Sequence, residues 1–443
     1  MRKIKFAKIQ LKMCFILSLI ILFLFKLNVY ADNYENEVNI EEIEKDTRQI
    51  IEETNGYFNE EDFSQNVALK ERKEPIINAR KYAIYDRGSK RIIYGKNNNI
   101  KCAMASTTKI MTAIIAIENN NISLDGETIV SQRAASVGGS RLGLKKGDKI
   151  TNKELLYGLM LKSGNDAAIA IAEEIGGSVE GFVKMMNNKA QDLDLNNTHF
   201  VTPHGLDNPE HYTTATELAI LTDYALSNQL FKEIVSTKTY TIRINGNPIT
   251  INNTNELLGV LNGVVGVKTG FTNGAGRCLV TEIVRGKRDL IVIVLGADTK
   301  KDRTRDSIRL IEYGFSEFKE LDIDNEVKDL FEEWKQINIK RIKIDKAKES
   351  EVSLYLSSIS QKTLLVESNK SESLEYEIIS LTHIKAPIYN DQKLGVIMIK
   401  YDGEIIDQVD ILVKNEIKKK NWMDFYIEIC QLILRKKTSA VFM

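Results

Sequence analysis

Apolar and polar positions along this chain change rhythm several times, and each change marks an element. Near Ile76 the period is two: Tyr82–Tyr85 and Arg91–Tyr94 flank Asp86-Arg87-Gly88-Ser89, which predicts a hairpin with a Gly-containing turn. After Ser106 the period becomes helical, with Ile110, Met111, Ala113, Ile114 and Ile117 on one face. Leu155–Lys162 and Ala167–Glu174 read as two helical runs broken at Ser163-Gly164-Asn165, and Thr216–Ser227 as another helix. From Val264 the pattern turns to strands. Val264–Thr269, Cys278–Val284 and Leu290–Leu295 are apolar and β-branched, and Asn273-Gly274 and Arg285-Gly286 supply turns, so an antiparallel meander is expected. Arg303–Phe318 then reads as a closing helix. Residues 76–322 therefore predict one α+β domain, an antiparallel sheet flanked by helices.

The texture shifts after Asp322. A charged stretch through Lys348 precedes the strand-like segments Ser353–Tyr355, Thr363–Val366, Glu375–Ser380, Val396–Tyr401 and Ile405–Val413, which predict a small β-sandwich within 323–413. In 414–443, Trp422, Phe425, Tyr426, Ile429, Leu432 and Ile433 fall at helical spacing between Lys418-Lys419-Lys420 and Arg435-Lys436-Lys437. The apolar-rich part is too short to span a bilayer, which takes about 20 residues. A basic-flanked helix with Trp and Phe suits the membrane interface, and this tail is expected to lie there.

Charge and cysteines narrow the setting. The zero net charge hides an asymmetry: residues 1–31 hold six basic side chains and no acidic one. With the apolar run Met13–Phe25 and the small-residue end Val29-Tyr30-Ala31, they read as a secretory signal peptide. Residues 32–62 carry twelve acidic and two basic side chains, so 32–75 is expected to be an acidic linker. The remainder is net acidic, which argues against nucleic acid as a partner. Cys102, Cys278 and Cys430 form no C-x-x-C pair, so neither a disulfide framework nor a zinc site is expected. His199, His204 and His211 match no metal motif, and their Pro- and Gly-rich flanks suggest a loop. No metal and no cofactor is expected, and the domains are placed on the outer face of the cell membrane.

Three peptides suggest chemistry: Ser106-Thr107-Thr108-Lys109, Ser163-Gly164-Asn165 and Lys268-Thr269-Gly270. Ser316-Glu317-Phe318-Lys319 and Ser64-Gln65-Asn66 repeat two of the patterns, but one assignment alone gives S-x-x-K, S-x-N and K-T-G in order with domain-sized spacers. Serine needs an adjacent base to act as a nucleophile. Residues i and i+3 of a helix share a face, so Ser106 and Lys109 project together at a helix start, where backbone N–H groups are unpaired. A lysine acts as a base only when neutral, which calls for burial or a nearby positive charge such as Lys268. Ser163 could relay a proton, and Asn165 can both donate and accept. Lys268 and Thr269 can bind a carboxylate, and Gly270 lets a substrate backbone approach closely.

These motifs are shared by penicillin-binding proteins and serine β-lactamases. The chain most resembles the D-alanyl-D-alanine carboxypeptidases of peptidase family S11, the low-molecular-mass penicillin-binding proteins, in their sporulation-associated DacF-like form. The resemblance rests on Ala105–Ala113, Leu155–Ala168 (LLYGLMLKSGNDAA), Phe200–Thr214 (FVTPHGLDNPEHYTT) and Gly263–Val280 (GVVGVKTGFTNGAGRCLV). It implies the penicillin-binding-protein fold, a β-rich domain and an amphipathic anchor. It also implies that Ser106 attacks the terminal D-Ala-D-Ala of peptidoglycan stem peptides and forms an acyl-enzyme, with β-lactams as covalent inhibitors. By the same likeness Lys109 is the general base and Ser163 and Asn165 relay and orient. Lys268 and Thr269 hold the carboxylate, and the N–H groups of Ser106 and Phe271 form the oxyanion hole. One departure is Met104, where the family usually has proline.

Three alternatives stay open on the sequence: a β-lactamase, a crosslinking transpeptidase, and a penicillin-binding sensor or scaffold with little turnover. The class A β-lactamase glutamate, in an E-x-x-L-N segment after the second motif, has no counterpart in 166–210, where the nearest text is Asp192-Leu193-Asp194-Leu195-Asn196.

Overall fold

The structure, a computed structural model, describes residues 74–119, 123–349, 351–360, 362–368 and 373–427. The expected signal peptide, nearly all of the acidic linker and most of the C-terminal helix lie outside these residues.

The first hairpin forms as expected from β1 (Lys81–Asp86) and β2 (Arg91–Lys96). Asp86 shapes its turn, since one carboxylate oxygen accepts from the Ser89 N–H at 2.8 Å and from its hydroxyl at 2.6 Å. A 3₁₀ turn over Ala105–Thr108 leads into α1 (Lys109–Glu118), whose residues 109–116 are all buried. A short pair, β3 (Glu127–Ile129) and β4 (Lys149–Thr151), encloses α2 (Gln132–Ser136). Next come α3 (Asn152–Met160), opened by a Thr151/Glu154 capping box, and α4 (Asn165–Gly176). They are followed by α5 (Val179–Asp192), α6 (Ala215–Leu226), α7 (Gln229–Ser236) and the hairpin β5 (Thr239–Ile244)–β6 (Asn247–Asn252). The meander is β7 (Val264–Thr272), β8 (Gly276–Arg285) and β9 (Arg288–Ala297), and α8 (Lys300–Ser316) closes the domain.

The main sheet runs β2-β1-β9-β8-β7 with every neighbouring pair antiparallel, which leaves β7 on an edge. One face of the sheet, through Ala83, Tyr85, Cys278, Val280 and Ile293, shares a core with α1, α3, α4 and α6. The other face takes α8, where Gly314 lies against Leu290 and Ile84. The α+β architecture read from the sequence is therefore the one observed.

The C-terminal part begins with β10 (Phe318–Asp322) and α9 (Ile323–Asn338), followed by β11 (Lys343–Asp345), β12 (Leu354–Leu356) and β13 (Thr363–Glu367). It ends with β14 (Leu374–Ser380), β15 (His383–Lys385), β16 (Lys393–Tyr401) and β17 (Glu404–Val413). A four-stranded sheet, β12-β17-β16-β14, is accompanied by the pairs β10–β13 and β11–β15. Its core joins Ile323, Val327 and Phe331 of α9 to Ile397, Ile399 and Ile411. The charged stretch after Asp322 is thus largely this helix, with Asp322 as its N-cap. The closing helix α8 starts three residues before the sequence expectation, and Phe318 belongs to β10 rather than to that helix.

A buried charge network ties the first hairpin to the rest of the α+β domain. Arg87 donates to Asp223 at 2.8 Å, to Glu282 at 2.8 Å and to Asp289 at 2.7 Å, and Lys232 reaches Glu282 at 2.9 Å. Glu282 is fully buried, so Arg87 offsets a charge that cannot reach water. Breaking such a pair from one side costs about 3–5 kcal/mol. Arg87→Ala is expected to lower the melting temperature by about 10 °C, since each kcal/mol shifts a domain of this size by about 2–4 °C; thermal unfolding followed by circular dichroism checks it.

Candidate active site

The turn over Ala105–Thr108 holds Ser106 at the mouth of a buried polar cluster. Ala105 sits at φ +48°, and the turn is pinned by its own side chains: Thr107 Oγ1 donates to the Met104 carbonyl at 2.6 Å, and Thr108 Oγ1 to the Ala105 carbonyl at 2.7 Å. Met104 is fully buried, so the residue that departs from the family pattern packs into the core. Gly205, at φ +85°, makes the turn possible, because a Cβ there would lie 1.9 Å from the Ala105 carbonyl oxygen.

Three residues on, Lys109 is wholly buried. Its Nζ lies 2.9 Å from Ser106 Oγ, 2.7 Å from Asn165 Oδ1 and 3.0 Å from the His204 carbonyl. Burial holds this amine well below the usual lysine value, and the charge of Lys268 pushes it further in the same direction; Asp166 opposes both. A neutral amine has two N–H donors and one lone pair. Asn165 Oδ1 and the His204 carbonyl are acceptors only, so they take the two donors and leave the lone pair facing the Ser106 hydroxyl. The site can therefore draw a proton from Ser106.

Ser163 lies in the break between α3 and α4, at φ +60° and buried. Its Oγ accepts from Lys268 Nζ at 3.0 Å, and Lys268 also donates to the Thr269 carbonyl at 2.8 Å. Lys268 is likewise buried, and its pKa is pushed down to about 7 by burial and then by the charge of Arg303. Thr269 Oγ1 meets Thr254 Oγ1 at 2.7 Å. A Cβ on Gly270 would lie 3.1 Å from the Ser106 nitrogen, so the edge strand and the serine turn touch through a glycine. Phe271, the next residue of β7, is 48% exposed at the open side. All eight residues singled out in the sequence thus fall on three adjoining elements: the 3₁₀ turn with the start of α1, the α3–α4 break, and the end of β7.

Other contributors carry no signal in the motifs. Asp166 is fully buried and accepts from the N–H groups of Leu142 and Gly143 at 2.9 Å and of Leu144 at 3.1 Å, which fixes the loop after α2. That loop in turn holds Asn165, whose Nδ2 donates to the Gly138 carbonyl at 2.7 Å. The histidines buttress the site. Burial keeps His204 and His211 neutral, with pKa values pushed down to about 3 and about 4. His211 Nδ1 accepts from the Val201 N–H at 2.9 Å, so its Nε2 carries the proton and faces Thr108 Oγ1 at 2.8 Å.

A serine against a buried lysine whose pKa is held low, beside a glycine-lined strand edge, defines a serine hydrolase of the penicillin-binding-protein class. The comparisons with known proteins agree. Residues 68–299 match the family model described as D-alanyl-D-alanine carboxypeptidase, and 326–419 match the penicillin-binding protein 5 C-terminal domain. The chain belongs to the S11 D-alanyl-D-alanine carboxypeptidase family. It is 33% identical to D-alanyl-D-alanine carboxypeptidase DacF of Bacillus subtilis over 80% of this chain and 90% of that protein. It is 37% identical to DacD of Escherichia coli over 56% of this chain and 66% of that protein. Among solved structures, penicillin-binding protein 5 of Haemophilus influenzae superposes with a TM-score of 0.65 at 26% identity, covering 79% of this chain and all of that one. The Streptomyces K15 DD-transpeptidase superposes at 0.54 and 34% identity, covering 55% and 100%.

The depressed value of Lys268 makes a pH prediction. Its folded value lies below its unfolded one, so between about pH 7 and 10.5 the unfolded chain binds more protons and stability rises with pH; below about pH 7 both states are protonated and the burial penalty is complete. Relative to Lys268→Met, the wild type should gain about 1.4 kcal/mol of unfolding free energy per pH unit between about pH 7.5 and 9.5. Urea unfolding across that range checks it, and parallel curves would show that Lys268 titrates at the ordinary value.

Proposed function

We propose that this D-Ala-D-Ala carboxypeptidase works through an acyl-enzyme on Ser106, releasing the terminal D-alanine of peptidoglycan stem pentapeptides and then hydrolysing the ester. The observation that carries this reading is the Lys109 amine, buried and low in pKa, 2.9 Å from Ser106 Oγ. Lys109 takes the serine proton as the oxygen attacks the penultimate carbonyl, and the oxyanion forms beside the N–H groups of Ser106 and Phe271. Ser163, bonded to Lys268, is placed to pass a proton toward the departing amine. The substrate's terminal carboxylate is received at Lys268 and Thr269. Its negative charge favours the protonated form of Lys268, and that charge in turn keeps Lys109 neutral.

On the same reading β-lactams acylate Ser106, because a strained amide presents its carbonyl to the same nucleophile. A β-lactamase must also deacylate that adduct quickly. Asp166 is the acid whose field reaches Lys109, and its two oxygens accept from four backbone N–H groups, which leaves it poorly placed to activate water. This favours the peptidase over the β-lactamase, and the lysine pKa depression favours it over a sensor with little turnover. Ser106→Ala is expected to abolish both D-alanine release from a pentapeptide and labelling by a fluorescent penicillin. Persistent release in that variant sinks the assignment, and rapid loss of wild-type label with hydrolysed antibiotic turns it toward a β-lactamase.

We also infer that the protein works on the outer face of the cell membrane, exported by residues 1–31 and attached by its tail, and that the DacF likeness points to sporulation, which the timing of expression tests. What supports attachment is the start of the tail, where Trp422 is 77% and Tyr426 63% exposed, following Lys418–Lys420. Among the described residues no helix is long and apolar enough to cross a membrane. The mature chain is expected to pellet with phosphatidylglycerol vesicles and to stay in solution once residues 421–443 are removed; equal pelleting of both forms would reject the tail as the anchor.

A further inference from the structure

One short segment, His204–Asp207, touches the base, the turn of the nucleophile and the end of the edge strand. His204 gives its carbonyl to Lys109 Nζ at 3.0 Å, and Gly205 packs on the Ala105 carbonyl that opens the serine turn. Asp207 reaches across to the sheet. Its Oδ1 accepts from the Thr272 hydroxyl at 2.5 Å and its Oδ2 from the Gly274 N–H at 2.9 Å. The Thr272 oxygen also accepts from the Ala275 N–H at 3.1 Å, so one carboxylate holds the turn between β7 and β8. These partners lie 65 and 67 residues along the chain, which sets them apart from a local Asp turn closed two or three residues on.

The segment is stiff enough to act as a strut. The Gly205 N–H donates to Thr202 Oγ1 at 3.0 Å, and the Leu206 N–H donates to His204 Nδ1 at 3.2 Å. On the sheet side, β7 is an edge strand, so no further strand steadies its open side. Phe271 lies there between two anchors: Gly270, where a Cβ would lie 3.1 Å from the Ser106 nitrogen, and Thr272, held by Asp207. Gly274 keeps the second anchor open, since a Cβ on it would lie 2.9 Å from Asp207 Oδ1. A hydrogen bond to a carboxylate is stronger than one between neutral groups, which suits a strut at an exposed position. Oxyanion donors act only when they are fixed before the charge forms, and a shift of about 1 Å can cost about 100-fold in rate.

We propose that Asp207 is a positioning residue: by holding Thr272 and Gly274 it keeps the Phe271 N–H aligned with that of Ser106. The proposal rests on the reading that these two N–H groups receive the oxyanion. The test uses the full-length mature enzyme and two esters with one acyl part, diacetyl-L-Lys-D-Ala-D-lactate and its thiono analogue, in which sulfur replaces the carbonyl oxygen under attack. Sulfur is a weak hydrogen-bond acceptor, so the thiono ester gains little from the two donors. The readout is the ratio of kcat/KM values, oxo over thiono, which does not depend on how much enzyme is folded. Asp207→Ala should lower kcat/KM for the oxo ester by about 10- to 100-fold and the ratio by about 10-fold. Thr272→Val should reproduce the fall in the ratio, and combining the two should add little, because both cut one connection. A ratio left at the wild-type value in Asp207→Ala, whether both rates fall together or neither falls, overturns the proposal, and so do losses that multiply in the double variant. A wild type that handles the two esters alike overturns the oxyanion reading itself, and the proposal with it.

Discussion

A lysine amine buried away from solvent, with no carboxylate partner among the described residues, is the constraint on which the site depends. Lys109 is buried on the central helix α1, and an ammonium in such a place is costly, so burial pushes the pKa of the group down and favours its neutral form. The surroundings hold that neutral form. Asn165 and the His204 carbonyl present acceptors only, while Asp166, which could have stabilised the charged form, is turned away to cap the backbone of the loop over 142–144. Asn165 and Asp166 open α4 and the His204 carbonyl comes from a loop, so these elements must assemble around α1 before Lys109 can be a base.

The second lysine works against the first. Lys268 comes from the edge strand β7 and touches Ser163, whereas Lys109 touches Ser106 and Asn165. The charge of Lys268 pushes the Lys109 pKa down, so protonating one disfavours the charge of the other. The glycines make that proximity achievable. Gly270 lets the strand meet the serine turn, and Gly205 lets the loop that carries the His204 carbonyl close over Ala105. The polar cluster is thus set by backbone approach at two positions where any side chain would intrude.

Legibility followed the range of the interactions. Ser106 and Lys109 are three residues apart on one turn, so local spacing was enough to pair them; β7, β8 and β9 are long apolar runs whose period of two survives in any context. Asp166 was invisible because its partners lie 22–24 residues back in a loop, and nothing in a carboxylate next to Asn165 announces that it caps backbone. The Pro- and Gly-rich flanks of His211 mark a loop, but its contact with Thr108 spans 103 residues and leaves no local trace. Helix α9 is hard to read because its apolar face, Ile323, Val327, Leu330, Phe331 and Trp334, is set among acids and lysines that resemble a linker. The short α2 and α7, and the amphipathic α5, are likewise hard to read from local pattern, since their apolar faces form only against neighbours from elsewhere in the chain.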